Sequence, residues 1–271
     1  MSILQAAVLG AIQGLTEFVP VSSSGHLALT RWLFGWGLGD PALDQAFDVA
    51  VHVGTLLGAA LFLRTDLWAL AASAHRTVRG TARPGDGLPW LLLASAVPAA
   101  VVGATLESTV ADRLGGPVPI ALMLIVFALV LAWADRLPAR RQAGGFGVRD
   151  AVVIGVAQAA ALQPGVSRSG ATISAARASG FDRDSAARLS FLMSLPLIAG
   201  AAAYEGLQLL GDGTLRAGVY GPMIVGGGAA ALTGAVAVWL VLGLVRTRSF
   251  KPFVTYRIAV GVAVLGLAAV R

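Results

Sequence analysis

The chain has 271 residues, of which 56% are hydrophobic and 13% are charged, and its mean hydropathy is +0.78. Because a soluble domain carries roughly 25% charged residues, this composition excludes an ordinary water-soluble protein and indicates an integral membrane protein. The formal net charge of +6 does not indicate a nucleic-acid partner, since excess arginine normally marks the cytoplasmic loops of membrane proteins. Cysteine is absent, which excludes disulfide bonds and thiolate metal sites.

The predicted elements begin with an interrupted segment, residues 2–36, which is apolar at both ends and rich in Ser, Gly and Pro in the middle. No Lys or Arg precedes Arg31, so the N-terminus lacks the basic start of a cleavable signal peptide and we expect it to be retained. A second interrupted segment covers residues 149–179. The remaining elements are apolar stretches predicted to cross a bilayer, and they cover residues 46–63, 89–105, 118–134, 185–210, 220–245 and 253–270.

The two interrupted segments resemble each other at an offset of 145 residues, at which 8–25 overlays 153–170 with seven identities in 18 positions. This similarity predicts an internal duplication. We therefore expect a single membrane domain over residues 1–271, with one repeat at about 1–134 and the other at about 149–271. The identical pairs are Val8/Val153, Gly10/Gly155, Gln13/Gln158, Val21/Val166, Ser22/Ser167, Ser24/Ser169 and Gly25/Gly170.

The distribution of basic residues predicts the topology. If both interrupted segments are re-entrant, the loops 64–88, 135–149, 180–184 and 246–252 share one side and contain twelve Lys or Arg residues. The loops on the opposite side contain two, Arg113 and Arg216. This asymmetry fits the positive-inside rule. The predicted fold is therefore an all-α membrane protein with six transmembrane helices plus two re-entrant helical hairpins, arranged as an inverted-topology repeat.

The first interruption places polar side chains at membrane depth. Gln13 and Glu17 lie four residues apart and share one face of the predicted helix. A charged residue at this depth costs on the order of 3 kcal/mol, so we expect Glu17 to be functional. The serines at 22–24 precede a renewed helix, whose free N–H groups attract anions. His26 lies just inside that helix and can act as a general acid, a general base or a nucleophile.

The second interruption supplies Ser167, Arg168 and Ser169 ahead of another helix. The guanidinium of Arg168 matches phosphate oxygens with paired donors. Non-helical backbone at membrane depth persists only inside protein or beside a watery cavity, so we expect the two interruptions to meet and form one site. These residue types indicate phosphoryl chemistry. They fit either hydrolysis or transport of a phosphorylated lipid.

The motifs QGLTEFVPVSSSGH (13–26) and QPGVSRSGAT (163–172) resemble those of the undecaprenyl-diphosphate phosphatase family of bacterial membranes, which is linked to bacitracin resistance. The resemblance covers nearly the whole chain and implies six spans with two re-entrant hairpins. It also implies removal of the terminal phosphate from undecaprenyl diphosphate, which yields the monophosphate carrier for peptidoglycan synthesis. The expected location is the bacterial cytoplasmic (inner) membrane, with a multi-pass chain and an active site facing the outer side.

The resemblance further implies a site built from both motifs. The expected catalytic residues are Glu17, Ser23, His26 and Arg168, with Ser23 as nucleophile and His26 moving the proton; water or His26 remains possible as the attacking group. A divalent cation, magnesium or calcium, is expected on Glu17 and Gln13 together with the diphosphate. Many family members have Glu where this chain has Gln13, so one charge is missing from the metal site. The residues expected to bind the substrate are Gln13, Ser22, Ser24, Ser167, Ser169, Gly170 and Thr172.

The main alternative is a carrier that moves undecaprenyl phosphate across the membrane, because inverted repeats with broken helices are typical of transporters. A homodimer is also possible. Outside the two motifs, we expect Asp48 and His52 to form a pair on one helix face. We expect Arg257, early in the last span, to reach the membrane interface.

Overall fold

The computed structural model describes residues 1–211 and 219–271, without the side chains of residues 107–109, 111–112 and 210. The chain is 81% helical, and the described residues contain no β-strand. They form eleven α-helices and one short 3₁₀ helix, Ala143–Gly145. The α-helices are α1 Ile3–Phe18, α2 Ser23–Phe34, α3 Pro41–Phe62, α4 Arg64–Val78, α5 Leu88–Leu114, α6 Pro117–Arg136, α7 Val148–Ala160, α8 Arg168–Ala178, α9 Arg183–Gly211, α10 Tyr220–Val245 and α11 Lys251–Val270.

The six predicted membrane spans are confirmed as long apolar helices. Stretches of α3, α5, α6, α9, α10 and α11 are each long and apolar enough to cross a bilayer. Both interrupted segments are confirmed as pairs of shorter helices, α1 with α2 and α7 with α8. The predicted loop 211–219, with Arg216, lies mostly outside the described residues, which omit 212–218.

Ion pairs link the four predicted basic loops at one end of the bundle. Asp66, at the start of α4, pairs with Arg188 of α9 at 2.7 Å, and Asp135, at the end of α6, pairs with Arg183 at 2.6 Å. At the end of α10, Arg246 pairs with an aspartate of α9 at 3.0 Å. These pairs place the basic loops together, as the charge pattern predicted.

The second interrupted segment begins and ends beside one side chain. Arg141 Nη1 donates to Asp150 Oδ1 near the start of α7, at 3.0 Å, and to the carbonyl of Ser179 just after α8, at 2.7 Å. The two ends of this segment therefore lie side by side, as a re-entrant hairpin requires. The re-entrant insertion and the inverted repeat stay predictions.

Helix α4 falls where the sequence predicted only a loop. It contains no buried residue and is held to the following turn by Asp86, which accepts from Arg76 Nε at 2.8 Å and from the Arg83 backbone N–H at 2.8 Å. The Arg76 guanidinium and the Arg83 N–H hold the pKa of the Asp86 carboxyl well below its usual range. This turn therefore stays ion-paired at neutral pH.

Close packing of small residues sets the positions of α1 and α3 against α10. A Cβ added at Gly10 of α1 would clash with the carbonyl of Gly226, and one added at Gly54 of α3 would clash with the carbonyl of Gly227. Small residues let helix backbones approach closely in membranes. Because α1 and α3 both lie against α10, the C-terminal end of α1 and the middle of α3 face each other across a short gap.

Candidate active site

The two helix interruptions have the same backbone geometry. We call residues 19–22, between α1 and α2, the first break, and residues 161–167, between α7 and α8, the second break. Ser22 and Ser167 close these breaks with φ values of 78° and 73°, and no other non-glycine residue in the described chain has a positive φ. Each serine Oγ accepts the backbone N–H three residues ahead, at 3.4 and 3.1 Å. Such backbone conformations cost about 1–3 kcal/mol each and cluster at functional sites.

The breaks are in direct contact, which the sequence predicted. The backbone N–H of Gly165 in the second break donates to Ser22 Oγ in the first, at 3.0 Å. Ser169 Oγ donates to the carbonyl of Val19 at 3.2 Å. Glu17, at the end of α1, forms an ion pair with Arg168, at the start of α8. The two motifs therefore form one site rather than two.

Glu17 is the centre of this site and is only 6% exposed. Its Oε2 accepts from Gln13 Nε2 at 2.8 Å and from Ser23 Oγ at 2.5 Å, while Oε1 is paired with Arg168. His52 Nε2 of α3 lies 3.7 Å from the same Oε2. A buried carboxylate needs such partners. The Glu17 carboxylate therefore contacts both the Ser23 hydroxyl and the Arg168 guanidinium, and a hydroxyl bonded to a base is an arrangement suited to nucleophilic attack.

His26 does not contact Ser23 in this arrangement. Its Nδ1 lies 2.7 Å from the carbonyl of Ser22, and its Nε2 lies 2.9 Å from the hydroxyl of Tyr256. A carbonyl can only accept, so Nδ1 carries the hydrogen, and Tyr256 donates to Nε2 in the neutral ring. The Ser23 hydroxyl bonds instead to Glu17. The hydrogen-bond partner of the Ser23 hydroxyl is therefore Glu17 and not His26.

The remaining predicted binding residues surround the two helix starts unevenly. Ser24 is exposed, whereas Ser167 and Ser169 are buried with their hydroxyls 3.3 Å apart. The Thr172 hydroxyl turns into the bundle and lies 2.6 Å from a serine hydroxyl of α9. Gly170 leaves room for a buried arginine, because an added Cβ would lie 2.7 Å from the Nη1 of that side chain. Ser24, Ser167 and Ser169 are the hydroxyls best placed at the helix starts.

Comparison with known proteins identifies the family to which this chain belongs. The family model described as "Bacitracin resistance protein BacA" matches residues 6–263. This chain belongs to the bacitracin resistance protein BacA family. It is 47% identical over 268 residues to a Geobacter metallireducens protein named undecaprenyl-diphosphatase, with 98% of each chain covered. Proteins of the same name from Geobacter sulfurreducens and a Nocardioides species are 45% and 40% identical; the matches cover 98% of this chain in both cases, and 98% and 96% of those proteins.

The oxygen donors of this BacA-family site fit a hard divalent cation only in part. Gln13 is fully buried and its Oε1 has no hydrogen-bond partner, and the Glu17 carboxylate lies beside it. Carboxylate and amide oxygens are the ligands that Mg²⁺ and Ca²⁺ prefer. The described residues contain no cluster of three or more His, Cys, Asp or Glu able to hold a metal. A cation here would therefore depend on oxygens of the substrate as well.

Two residues near the site were missed by the sequence reasoning. The expected Asp48–His52 pair forms only through the backbone, because His52 Nδ1 lies 2.7 Å from the Asp48 carbonyl, while Asp48 binds Arg31 at 2.6 and 2.8 Å. His52 instead faces Glu17. The prediction that Arg257 reaches the membrane interface is wrong: its side chain is fully buried and contacts both breaks. An arginine within an apolar span was the available signal.

Proposed function

We infer that this BacA-family chain is an undecaprenyl-diphosphate phosphatase, which releases the terminal phosphate and leaves the lipid monophosphate. The observation that carries this inference is the contact of Glu17 with both Ser23 and Arg168 where the two breaks meet. This combination supplies a nucleophile, a proton acceptor and a cation for the phosphate. Full-length similarity to proteins named undecaprenyl-diphosphatase supports the same substrate.

The reaction follows from these contacts. The terminal phosphate enters between the starts of α2 and α8. There it competes with Glu17 for the Arg168 guanidinium, whose paired N–H donors match phosphate oxygens. Ser23 Oγ attacks the terminal phosphorus and transfers its proton to Glu17, while the bond to the bridging oxygen breaks and lipid monophosphate leaves. Water then attacks the phosphorus of the phosphoserine, the bond between Ser23 Oγ and phosphorus breaks, and Oγ takes back the proton from Glu17 as inorganic phosphate leaves.

A divalent cation, magnesium or calcium, is part of the proposal. The residues that would hold it are Glu17 and Gln13, through a carboxylate oxygen and the unpaired amide oxygen. When bound, it would neutralise charge on the diphosphate. Gln in place of Glu leaves the protein side of this site with one negative charge, so metal affinity should depend strongly on the presence of substrate.

The direct test is phosphate release from undecaprenyl diphosphate by the purified protein in detergent with Mg²⁺. One phosphate per lipid, with monophosphate as the other product, is the expected result. Acid quench during turnover followed by mass spectrometry should find phosphoserine at Ser23. Full turnover in Ser23→Ala would show that water or His26, and not Ser23, is the attacking group. If the wild type released no phosphate, the proposed function would be wrong.

The transporter alternative is not favoured, because the similar proteins carry the name of a phosphatase. An assay in liposomes separates the two activities, since phosphate release and movement of the lipid between leaflets are measured independently. Movement of undecaprenyl phosphate without any phosphate release would restore the alternative. A homodimer remains a proposal, and light scattering of the protein in detergent would test it.

We also propose that the chain resides in the bacterial inner membrane with its site open to the outer side. The support is the position of the basic loops, which the positive-inside rule assigns to the cytoplasm. The native chain has no cysteine, so single cysteines report location without background. A membrane-impermeant thiol reagent should label Ser24→Cys from outside intact cells and should label Arg79→Cys only after lysis. The reverse pattern would overturn the orientation.

A further inference from the structure

Arg257 is the largest fully buried side chain in the described part of the protein, with no exposed surface. It lies in α11, a membrane span. None of the ion pairs found within the described residues includes it. A buried guanidinium without a carboxylate is expensive in a membrane protein. Its position therefore requires a specific reason.

The guanidinium binds backbone carbonyls from three parts of the chain. It reaches the first break through the Pro20 carbonyl, at 3.1 Å. It reaches the second break through the carbonyls of Gly165 and Val166, both at 2.9 Å. Two further carbonyls of α6 complete the set, at 3.1 and 3.4 Å. One side chain thus ties both breaks to each other and to a neighbouring span.

These bonds orient the polar backbone of the breaks. No peptide bond in the described chain is cis, and in a trans peptide the C=O and N–H point in opposite directions. Since the Val166 carbonyl points at Arg257, the N–H of Ser167 points away from it. At the helix starts that follow the breaks, four backbone N–H groups find no acceptor among the hydrogen bonds of the described residues; they belong to Ser23, Ser24, Arg168 and Ser169.

This polarity suits an anionic substrate. Carbonyl oxygens near a phosphate would repel it, whereas free N–H groups at a helix start attract it. Arg257 binds carbonyls of both breaks, while the first N–H groups of both helices have no partner within their helix. Gly170 accommodates the guanidinium, because any Cβ there would meet Arg257 Nη1 at 2.7 Å.

We propose that Arg257 is a positioning residue for diphosphate hydrolysis, which holds the two breaks so that the N–H groups of α2 and α8 face the same phosphate. This proposal rests on the proposed function. Arg257 acts through the backbone and does not contact the substrate. It therefore differs from Arg168, whose guanidinium exchanges its ion pair with Glu17 for contacts with the substrate phosphate.

The experiment compares Arg257→Lys and Arg257→Met with a matched control, Arg177→Lys. Arg177 is also buried, at 5% exposure, and also donates to three carbonyls, at 2.7 to 3.1 Å, but at the end of α8 away from the breaks. Lysine carries its donors on one nitrogen and cannot span separate carbonyls as the guanidinium fork does. Both lysine variants should therefore lower the melting temperature by similar amounts.

Only the Arg257 variants should affect catalysis. Misplacing a catalytic group by about 1 Å costs about 100-fold, so Arg257→Lys should lower kcat about 100-fold, and Arg257→Met should lower it further. KM for farnesyl diphosphate, used as a short substrate, should change by less than about threefold, because the loss lies in the transition state. Arg177→Lys should retain wild-type kcat.

Three outcomes would overturn the proposal. One is equal loss of kcat in Arg257→Lys and Arg177→Lys, and another is wild-type kcat in Arg257→Lys. The third is failure of Arg257→Lys to fold while Arg177→Lys folds, which would make Arg257 purely structural. If the wild type releases no phosphate, the function itself fails. Thermal stabilisation by orthovanadate, an analogue of the transferred phosphoryl group in the transition state, then still decides the role of Arg257, since Arg257→Lys should lose that stabilisation and Arg177→Lys should keep it.

Discussion

The first and second breaks share a backbone but differ in chemistry. Ser22 and Ser167 occupy equivalent positions, with φ values within 5° of each other, at 78° and 73°, and the same capping bond. At the next position, where the following helix begins, α2 has Ser23 and α8 has Arg168. Glu17 has Leu162 as its equivalent. The first predicted repeat thus supplies the carboxylate and hydroxyl, and the second supplies the cation.

This difference shows how two breaks with the same backbone geometry can form a single site. The shared part, a positive-φ serine followed by a helix start, offers N–H groups to an anion at both breaks. The divergent part places opposite charges against each other, and the Glu17–Arg168 pair keeps either charge from being buried alone. Two identical breaks would instead have brought like charges together, at a cost of several kcal/mol.

The largest effect is expected for Arg168→Ala, which removes the contribution of the second break. Loss of one donor to the developing transition-state charge typically costs about 10²–10³-fold in kcat. We expect a loss at the upper end of this range, because Glu17 then also keeps a buried charge without its partner. Phosphate release in detergent measures the effect. Near wild-type turnover in folded Arg168→Ala protein would show that Arg168 does not take part in the reaction.

A smaller loss is expected for Glu17→Gln, the corresponding change in the first break. The neutral amide cannot accept the Ser23 proton, and removal of a general base typically costs about 10²–10⁴-fold. Because water can take over part of this role, we expect a loss at the lower end of this range. The Mg²⁺ concentration for half-maximal rate should rise together with the loss of turnover. Asp86→Asn, which changes a buried carboxylate that is paired with Arg76 of α4, is the matched control. Unchanged metal titration in Glu17→Gln would exclude Glu17 as a cation ligand.

The sequence predicted the parts of this comparison that depend on composition and local spacing. Apolar stretches located the six spans, and Ser, Gly and Pro located both breaks. The role of His52 was not predictable, because its approach to Glu17 depends on how α1 and α3 pack against the glycines of α10. The burial of Arg257 was not predicted, because it depends on carbonyl partners that lie up to 237 residues away. Helix α4 was missed because it lacks a buried face.

The glutamines Gln13 and Gln158 offer a third test, since they align with each other at the offset of 145 residues. Both are buried with an unpaired Oε1, so an unpaired oxygen alone does not mark a metal site. Only Gln13 has a carboxylate beside it, whereas Gln158 donates to the Ser95 carbonyl at 3.3 Å. Gln13→Ala should therefore lower turnover at limiting Mg²⁺ about 10- to 100-fold, the range for losing a group that supports a metal.

Gln158→Ala provides the control for this change. It leaves a cavity of the same size in the other repeat and should lower only the melting temperature, with the Mg²⁺ titration unchanged. Equal activity losses in both variants would indicate that packing, and not metal binding, explains the effect of Gln13.

The smallest effects are expected at the capping serines, where the two breaks are most alike. Loss of a capping hydroxyl lowers the free energy of unfolding by about 1 kcal/mol. Because serine and alanine are equally strained at a positive φ, Ser167→Ala should show only that loss. Ser22→Ala should cost about 1 kcal/mol more, because Ser22 Oγ also accepts the buried N–H of Gly165, which would lose its acceptor. Melting temperatures in detergent measure the difference. If the two variants were equally stable, the contact between the breaks would contribute nothing to stability, and Glu17–Arg168 would be the principal link between the repeats.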